Sequence, residues 1–269
     1  MNVLSILIES PANQTVKLAA SLFEKKGRDR SGLFALEGER FVAELLAPQQ
    51  NSGFRIRFFM ASESFAAKKE IEAYDAVAET YIVRDDVFRR ISDVETPQGI
   101  LAVCEQQQHA PEDLLNRENP LLLILEEMQD PGNLGTALRL ADAANADGVI
   151  LSAGSADVYN PKALRAAAGS ALRVPFAAGC DLATVLPMLQ ARGVRVYAAM
   201  PHATTFPYAH DLTKGTAFMI GNEARGLSAE AAALADAQIS LPMPGNAESL
   251  NAAMACGILV YEAVRQRVR

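Results

Sequence analysis

Long hydrophobic runs are missing from this 269-residue sequence. No stretch approaches the ~20 apolar residues that a membrane-crossing helix needs, so no membrane span is expected. The start, Met1 to Ser10, carries no basic residue ahead of its short apolar stretch and no small-residue cleavage site, and it does not read as a signal peptide. Cysteine is scarce. Cys104, Cys180 and Cys256 are odd in number and far apart, which fits neither a disulfide framework nor a paired zinc motif. The expectation is a cytoplasmic protein with free thiols, most of them buried. No cluster of His, Cys and carboxylates suggests a metal site. No Gly-x-Gly-x-x-Gly fingerprint follows an expected strand, which disfavours a conventional dinucleotide site. Fixed-period repeats and low-complexity segments are also absent.

Apolar residues, by contrast, are plentiful at 50%, against 21% charged, a balance that argues against disorder over most of the chain. The formal net charge is −7, which speaks against indiscriminate nucleic-acid binding but leaves room for a local basic face. Lys17, Lys25, Lys26, Arg28 and Arg30 form such a cluster, with only Glu24 and Asp29 as acids among them. A solvated helix end would produce the same pattern.

The chain reads as two α/β stretches. In the first, helices are expected over 13–26, stopped by Gly27, over 37–46, ended by Pro48, and over 65–74. Strands are expected over 33–36, 55–60, 81–83 and 100–104. The polar run 105–111 ends on Pro111 and marks a linker. The division is therefore a domain over 1–105, a linker over 106–118 and a second domain over 119–269. In the second, Leu121 to Leu125 is continuously apolar, as suits a strand buried on both faces. Further strands fall at 148–151, 194–199, 217–220 and 239–241, with helices over 134–145, 181–192, 228–235 and 249–265. This alternation predicts a parallel sheet flanked by helices.

Ligands of open α/β sheets bind beyond the carboxyl ends of strands, so the loops there are informative. The first runs from Asp130 through Pro131 and Gly132 to Asn133, a good N-cap residue, and on to Arg139. The second runs from Gly221 to Leu227, where two glycines allow close backbone approach and Glu223 and Arg225 place a charged pair at the sheet edge. The third, Ile239 to Asn251, is stiffened by Pro242 and Pro244 and opens the last helix with small and polar residues. Each loop alone also satisfies an ordinary strand–turn–helix junction.

Taken in order, three strings resemble the signature motifs of the SpoU (TrmH-like) family of RNA ribose methyltransferases: Asn133 to Arg139, Gly221 to Leu227, and Leu241 to Asn251. The likeness spans roughly 121–262. The first stretch is similar to the L30e-like substrate-binding domain often fused to that family, on the cue of Gly32 to Glu39. The resemblance implies an α/β protein with an N-terminal L30e-like domain and a C-terminal parallel-sheet domain whose end forms a trefoil knot. It implies transfer of a methyl group from S-adenosyl-L-methionine (SAM) to a ribose 2′-hydroxyl of RNA, rRNA rather than tRNA, by a homodimer. In that reading Met219, Ile220, Gly221, Ile239, Leu241, Met243 and Leu250 enclose the cofactor. Arg139 holds phosphate and stabilises the developing alkoxide, since a guanidinium hardly deprotonates. Asn133 orients the ribose or Arg139, Glu223 positions Arg139 or the substrate, and Ser249 and Asn251 place the sugar and line the methionyl end. Arg165, Ser170 and Arg173 lie in a family-like segment, with Arg165 a candidate RNA contact; His202 and His210 are expected to be exposed. A tRNA methyltransferase, a catalytically silent RNA-binding protein of the same fold, and a small-molecule methyltransferase are the competing classes.

Overall fold

A computed structural model describes residues 7–47, 53–69 and 71–268. By its internal contacts the chain divides into two units, one of residues 1–107 with 159–164, the other of 108–158 with 165–269. The linear division expected from sequence does not allow for the return of 159–164 to the first unit. There the Tyr159 ring lies 4.4 Å from that of Phe34.

The first unit is a mixed sheet with helices. Its strands are β1 (Leu7–Ile8), β2 (Leu33–Glu37), β3 (Ile56–Ser62), β4 (Thr80–Val83) and β5 (Ile100–Glu105), in the order β1-β4-β3-β5-β2. β5 runs antiparallel to both of its neighbours. The helices are α1 (Gln14–Ser21), α2 (Lys25–Ser31), α3 (Glu39–Leu46), α4 (Glu63–Ala66), α5 (Glu72–Asp75) and α6 (Asp85–Ile91). The helix expected over 13–26 is two helices, and Gly27 does not stop it. Gly27 sits inside α2 because a Cβ there would lie 1.9 Å from the Ser21 carbonyl oxygen; the glycine lets α2 pack on the end of α1. The stretch 65–74 likewise forms two short helices. Pro48 lies outside the described residues.

The second unit is built on a six-stranded sheet in which every described pairing is parallel. Its strands are β6 (Leu121–Leu125), β7 (Gly148–Ser152), β8 (Phe176–Cys180), β9 (Arg195–Ala199), β10 (Thr216–Ile220) and β11 (Ala237–Ile239), in the order β11-β9-β10-β6-β7-β8. All five residues of β6 are buried, which explains its unbroken apolar run. The helices are α7 (Pro131–Ala143), α8 (Pro161–Ala167, whose start belongs to the first unit), α9 (Leu182–Ala191), α10 (Ala229–Leu234) and α11 (Ala252–Arg267). α11 packs on α7 and β10.

From β6 the chain moves outward through β7 and β8, then returns to the other side through β9 and β10. The sheet therefore reverses its order between β6 and β10, and a crevice opens at such a point beyond the strand ends. Leu125 and Ile220 are register partners, and Glu126 N donates to Ile220 O at 2.9 Å. Two of the three loops singled out from sequence thus leave the sheet side by side.

Candidate active site

The first loop enters α7 through Asp130, whose side chain caps the helix by accepting from Asn133 N at 2.8 Å. Asn133 is thus not the N-cap; it lies in the first turn, and its amide is free to reach across the crevice. Asn133 Nδ2 donates to Glu223 Oε1 at 3.1 Å, and Asn133 Oδ1 accepts from Asn251 Nδ2 at 2.9 Å. Asn251 caps α11 in turn, its Oδ1 accepting from Ala253 N and Met254 N. One amide, Asn133, therefore ties all three motif loops together.

Glu223 is drawn to the same junction. It accepts from Gln129 N at 3.3 Å and Asp130 N at 3.1 Å besides Asn133. Partial burial by itself pushes its carboxyl upward, but the donors from its own backbone, Asn133, Asp130 and Gln129 outweigh it, and the group sits below the ordinary carboxylate value. It is held as an anion. The expected pairing of Glu223 with Arg139 or with Arg225 is not found, because its oxygens are occupied by these N–H groups. Arg225 pairs instead with Glu127. Asn133 likewise has each end of its amide engaged by one hydrogen bond, and so holds the three loops together.

Two acids that sequence reasoning passed over bind the second loop to the first. Glu126 accepts from Ser228 N at 2.8 Å and from Ser228 Oγ at 2.6 Å. Glu127 O accepts from Asn222 Nδ2 at 2.9 Å. Their position directly after the buried strand was the available signal. Within the second loop, Asn222 and Gly226 exchange backbone hydrogen bonds of 3.0 and 2.9 Å. Gly221 permits this closure: a Cβ there would lie 2.1 Å from the Gly226 carbonyl carbon. Its lack of a side chain serves an approach of the chain to itself.

Beside this junction lies a cavity of about 330 Å³, within the size range of small-molecule sites. Ile220, Gly221, Ile239, Leu241, Met243 and Leu250 line it, as does Ser249. Met219 does not line the cavity: its side chain is buried in the core cluster that also holds Ile124, its register partner on β6, because strand side chains alternate. Asn251 does not line the cavity either; its amide is spent on α11 and Asn133. Ala199, Met200 and Pro201 add an unforeseen wall at the end of β9, a place that strand-end reasoning could have flagged.

Arg139 stands on the exposed side of α7, two turns beyond the junction, and makes no hydrogen bond or ion pair among the described residues. Ser170 and Arg173 are both bound to Asp142, at 2.8 and 2.6 Å, and Arg165 is exposed. His202 is exposed, whereas His210 is half-buried with its ring 5.0 Å from that of Tyr197. In the first unit Lys17, Lys25, Lys26 and Arg30 are exposed, with Lys25 paired to Asp29 at 2.7 Å. Arg28 is a correction. It is buried, and its Nη1 donates to Leu22 O at 2.8 Å, so it is not available to a phosphate. Among the described residues no three His, Cys, Asp or Glu side chains gather as a metal site, and no helix is long and apolar enough to cross a membrane.

Residues 120–261 match the SpoU rRNA Methylase family, and residues 13–102 match the MRM3-like substrate binding domain. The chain is 37% identical to the 23S rRNA (guanosine(2553)-2′-O)-methyltransferase RlmP of Bacillus subtilis, over 94% of this chain and 97% of that protein. Among solved structures, the AdoMet-bound rRNA methyltransferase of Sinorhizobium meliloti superposes with a TM-score of 0.85 at 31% identity, covering 98% of this chain and 99% of that one. The SpoU methyltransferase AviRb of Streptomyces viridochromogenes, also in complex with AdoMet, gives 0.85 at 28% identity, over 95% and 98%.

Proposed function

The chain belongs to the SpoU rRNA methylase family and is a SAM-dependent RNA ribose 2′-O-methyltransferase; from that premise we propose that its substrate is 23S rRNA and that its residues divide the work as follows. SAM occupies the cavity between the second and third loops, where the backbone of Gly221 reads the adenine edge and Ile220, Leu241, Met243 and Leu250 enclose it. When bound, SAM supplies an activated methyl group. What remains for the protein is to align a ribose oxygen and to ease loss of its proton.

Arg139 carries the second task. It is uncommitted among the described residues, permanently charged, and able to grip a phosphate or a developing alkoxide at two points. Glu223, Asn133 and Asn251 act one step removed, fixing the first turn of α7 against the cofactor loops. Ser249, on the cavity wall, is left to meet the sugar. The first unit holds RNA through Lys17, Lys25, Lys26 and Arg30, and Arg165 adds a contact from the second unit. The trefoil knot that membership implies is part of this reading, as is a cytoplasmic location.

The protein acts as a homodimer in this reading. Met254, Ile258 and Tyr261 recur along α11 and are 59%, 45% and 47% exposed, an apolar stripe suited to a second copy. Leu259, on the same helix, is buried within the unit and belongs to its core. Light scattering at micromolar concentration should give twice the chain mass, and Ile258→Glu should give monomers.

The observation that carries the function is the cavity closed by two motif loops and tied through Asn133 to the helix that bears a free Arg139. Its test is incubation with labelled SAM and rRNA from cells lacking the protein. Label should appear as one 2′-O-methylated 23S nucleotide; absence of label, or label on tRNA alone, sinks the reading.

A further inference from the structure

We propose that Arg225 grips an RNA phosphate at the mouth of the methyl-transfer site, and that Glu127 parks its guanidinium there until RNA arrives. The proposal rests on the reading of the chain as an RNA methyltransferase. It concerns a pair that the catalytic scheme above leaves unused.

Arg225 lines the cavity, yet its side chain is 68% exposed and its partner Glu127 is 43% exposed. Ion pairs this open to solvent contribute little to stability, so the pair is a poor staple. It is a good resting place. Phosphate oxygens match the planar fork of arginine at least as well as a carboxylate does, and the exposed guanidinium can pass from one to the other without a buried charge being stranded.

The backbone on both sides is fixed, which confines the exchange to one side chain. Asn222 Oδ1 accepts from Ala224 N at 2.9 Å and from Arg225 N at 3.2 Å, and the reciprocal bonds of Asn222 and Gly226 close the loop. Glu127 is held in the left-handed region, at φ 47°, a strained setting for a residue with a side chain. Its N–H donates to Ser152 Oγ at 2.8 Å and its carbonyl accepts from Asn222. A strained residue held at a functional site in this way presents its carboxylate at a set position.

Charge supplies the motive. The chain is net negative, and Glu126, Glu127, Glu223 and Asp130 crowd the crevice that RNA must approach. Glu223 and Glu126 are already satisfied by N–H and hydroxyl donors. Arg225 is therefore not needed to neutralise either of them. Among the described residues it is the cation that lines the cavity, placed to face a polyanion beside the cofactor.

The test uses the whole 269-residue chain, protein-free 23S rRNA and two charge-removing variants, Arg225→Gln and Glu127→Gln, with Arg225→Lys as a third. Filter binding over a KCl series reads RNA affinity, calorimetry reads SAM affinity, and methyl transfer reads kcat and KM. Arg225→Gln should weaken RNA binding, lower the salt slope by about 0.7–0.9 for one lost phosphate contact, and raise KM for RNA roughly tenfold with SAM affinity unchanged. Glu127→Gln should do the opposite, tightening RNA binding, because the parked cation is released. Arg225→Lys should keep the slope and lose part of the affinity. If both Gln variants weaken RNA binding, the pair is a structural clasp and the proposal fails. If Arg225→Gln weakens SAM binding, the residue serves the cofactor carboxylate and the proposal also fails. Wild-type protein that transfers no methyl to the RNA sinks the enzymatic reading; normal wild-type transfer with Arg225→Gln indistinguishable from it sinks this one alone.

Discussion

In the second unit Glu223 and Asn133 meet across 90 residues of sequence, and Asn133 and Asn251 across 118. In the first unit Lys25 finds Asp29 one turn along the same helix, and Arg28 folds back onto Leu22. The contrast separates two kinds of polar residue. At the crevice, side chains are consumed in joining distant loops, and what they position is a backbone. In the basic cluster of the first unit, Lys17, Lys25, Lys26 and Arg30 are solvated whereas Arg28 is internal, and only the solvated cations are open to a partner. Residue type does not distinguish these fates; partners do.

The contrast breaks most sharply at α7, where Asn133 and Arg139 share a helix and differ in commitment. Arg139→Ala should reduce methyl transfer by at least about 100-fold, the usual consequence of losing a group that stabilises developing charge, while calorimetry finds SAM affinity unchanged. Arg139→Lys should recover little, because a point charge lacks the planar fork. If alanine weakens SAM binding as much as turnover, Arg139 belongs to the cofactor wall and the division of roles is wrong.

Asn133→Asp probes the junction. It sets a second carboxylate against Glu223, which is already held as an anion, and gives Asn251 an altered partner. Repulsion between like charges at hydrogen-bond distance should cost about 1–3 kcal/mol of stability, read by denaturant melts, with a fall in kcat larger than the change in SAM affinity. Asn133→Ser removes the reach without adding charge and should be milder on both counts.

Part of this arrangement is legible in the sequence and part is not. The buried run of β6 and the alternation of strand and helix announced the parallel sheet, because burial on both faces leaves no other pattern. The three loops were legible because strand ends are where ligands bind. The partners were not. Nothing in the spacing of Asn133, Glu223 and Asn251 says that they touch, since contact depends on β6 and β10 being neighbours across the reversal of strand order. Met219 lies off the cavity wall for a simpler reason: one residue along a strand changes its face. Gly27 was misread because a glycine that ends a helix and one that admits a neighbour look alike in one dimension.

A smaller effect follows from the Glu223 carboxyl. Its value in the folded protein is depressed, so it contributes stability that is fully present above about 4.5, its unfolded value, and is lost as pH falls through the folded value. The gap in melting temperature between wild type and Glu223→Gln should be widest near neutral pH and close progressively below about pH 4.5. A gap that is constant down to pH 3 would mean that the amide and the carboxylate are held equally well, and that the charge is irrelevant to the junction.

The smallest effects are expected on the first unit, and they sort its basic residues by burial. Lys17→Ala, Lys26→Ala and Arg30→Ala remove solvated cations. Each should lower the salt slope of rRNA binding by about 0.7–0.9 if it meets one phosphate, with a few-fold loss of affinity and no change in melting temperature. Lys25→Ala should do less, since its charge is already shared with Asp29. Arg28→Ala should invert the pattern. Its side chain is buried and holds the Leu22 carbonyl, so its removal leaves a buried acceptor short of a donor, a defect of about 1–3 kcal/mol, while the salt slope stays unchanged. If Arg28→Ala lowers the slope as the others do and melts normally, the first unit presents that guanidinium to RNA, and burial does not separate structural from RNA-facing charges there.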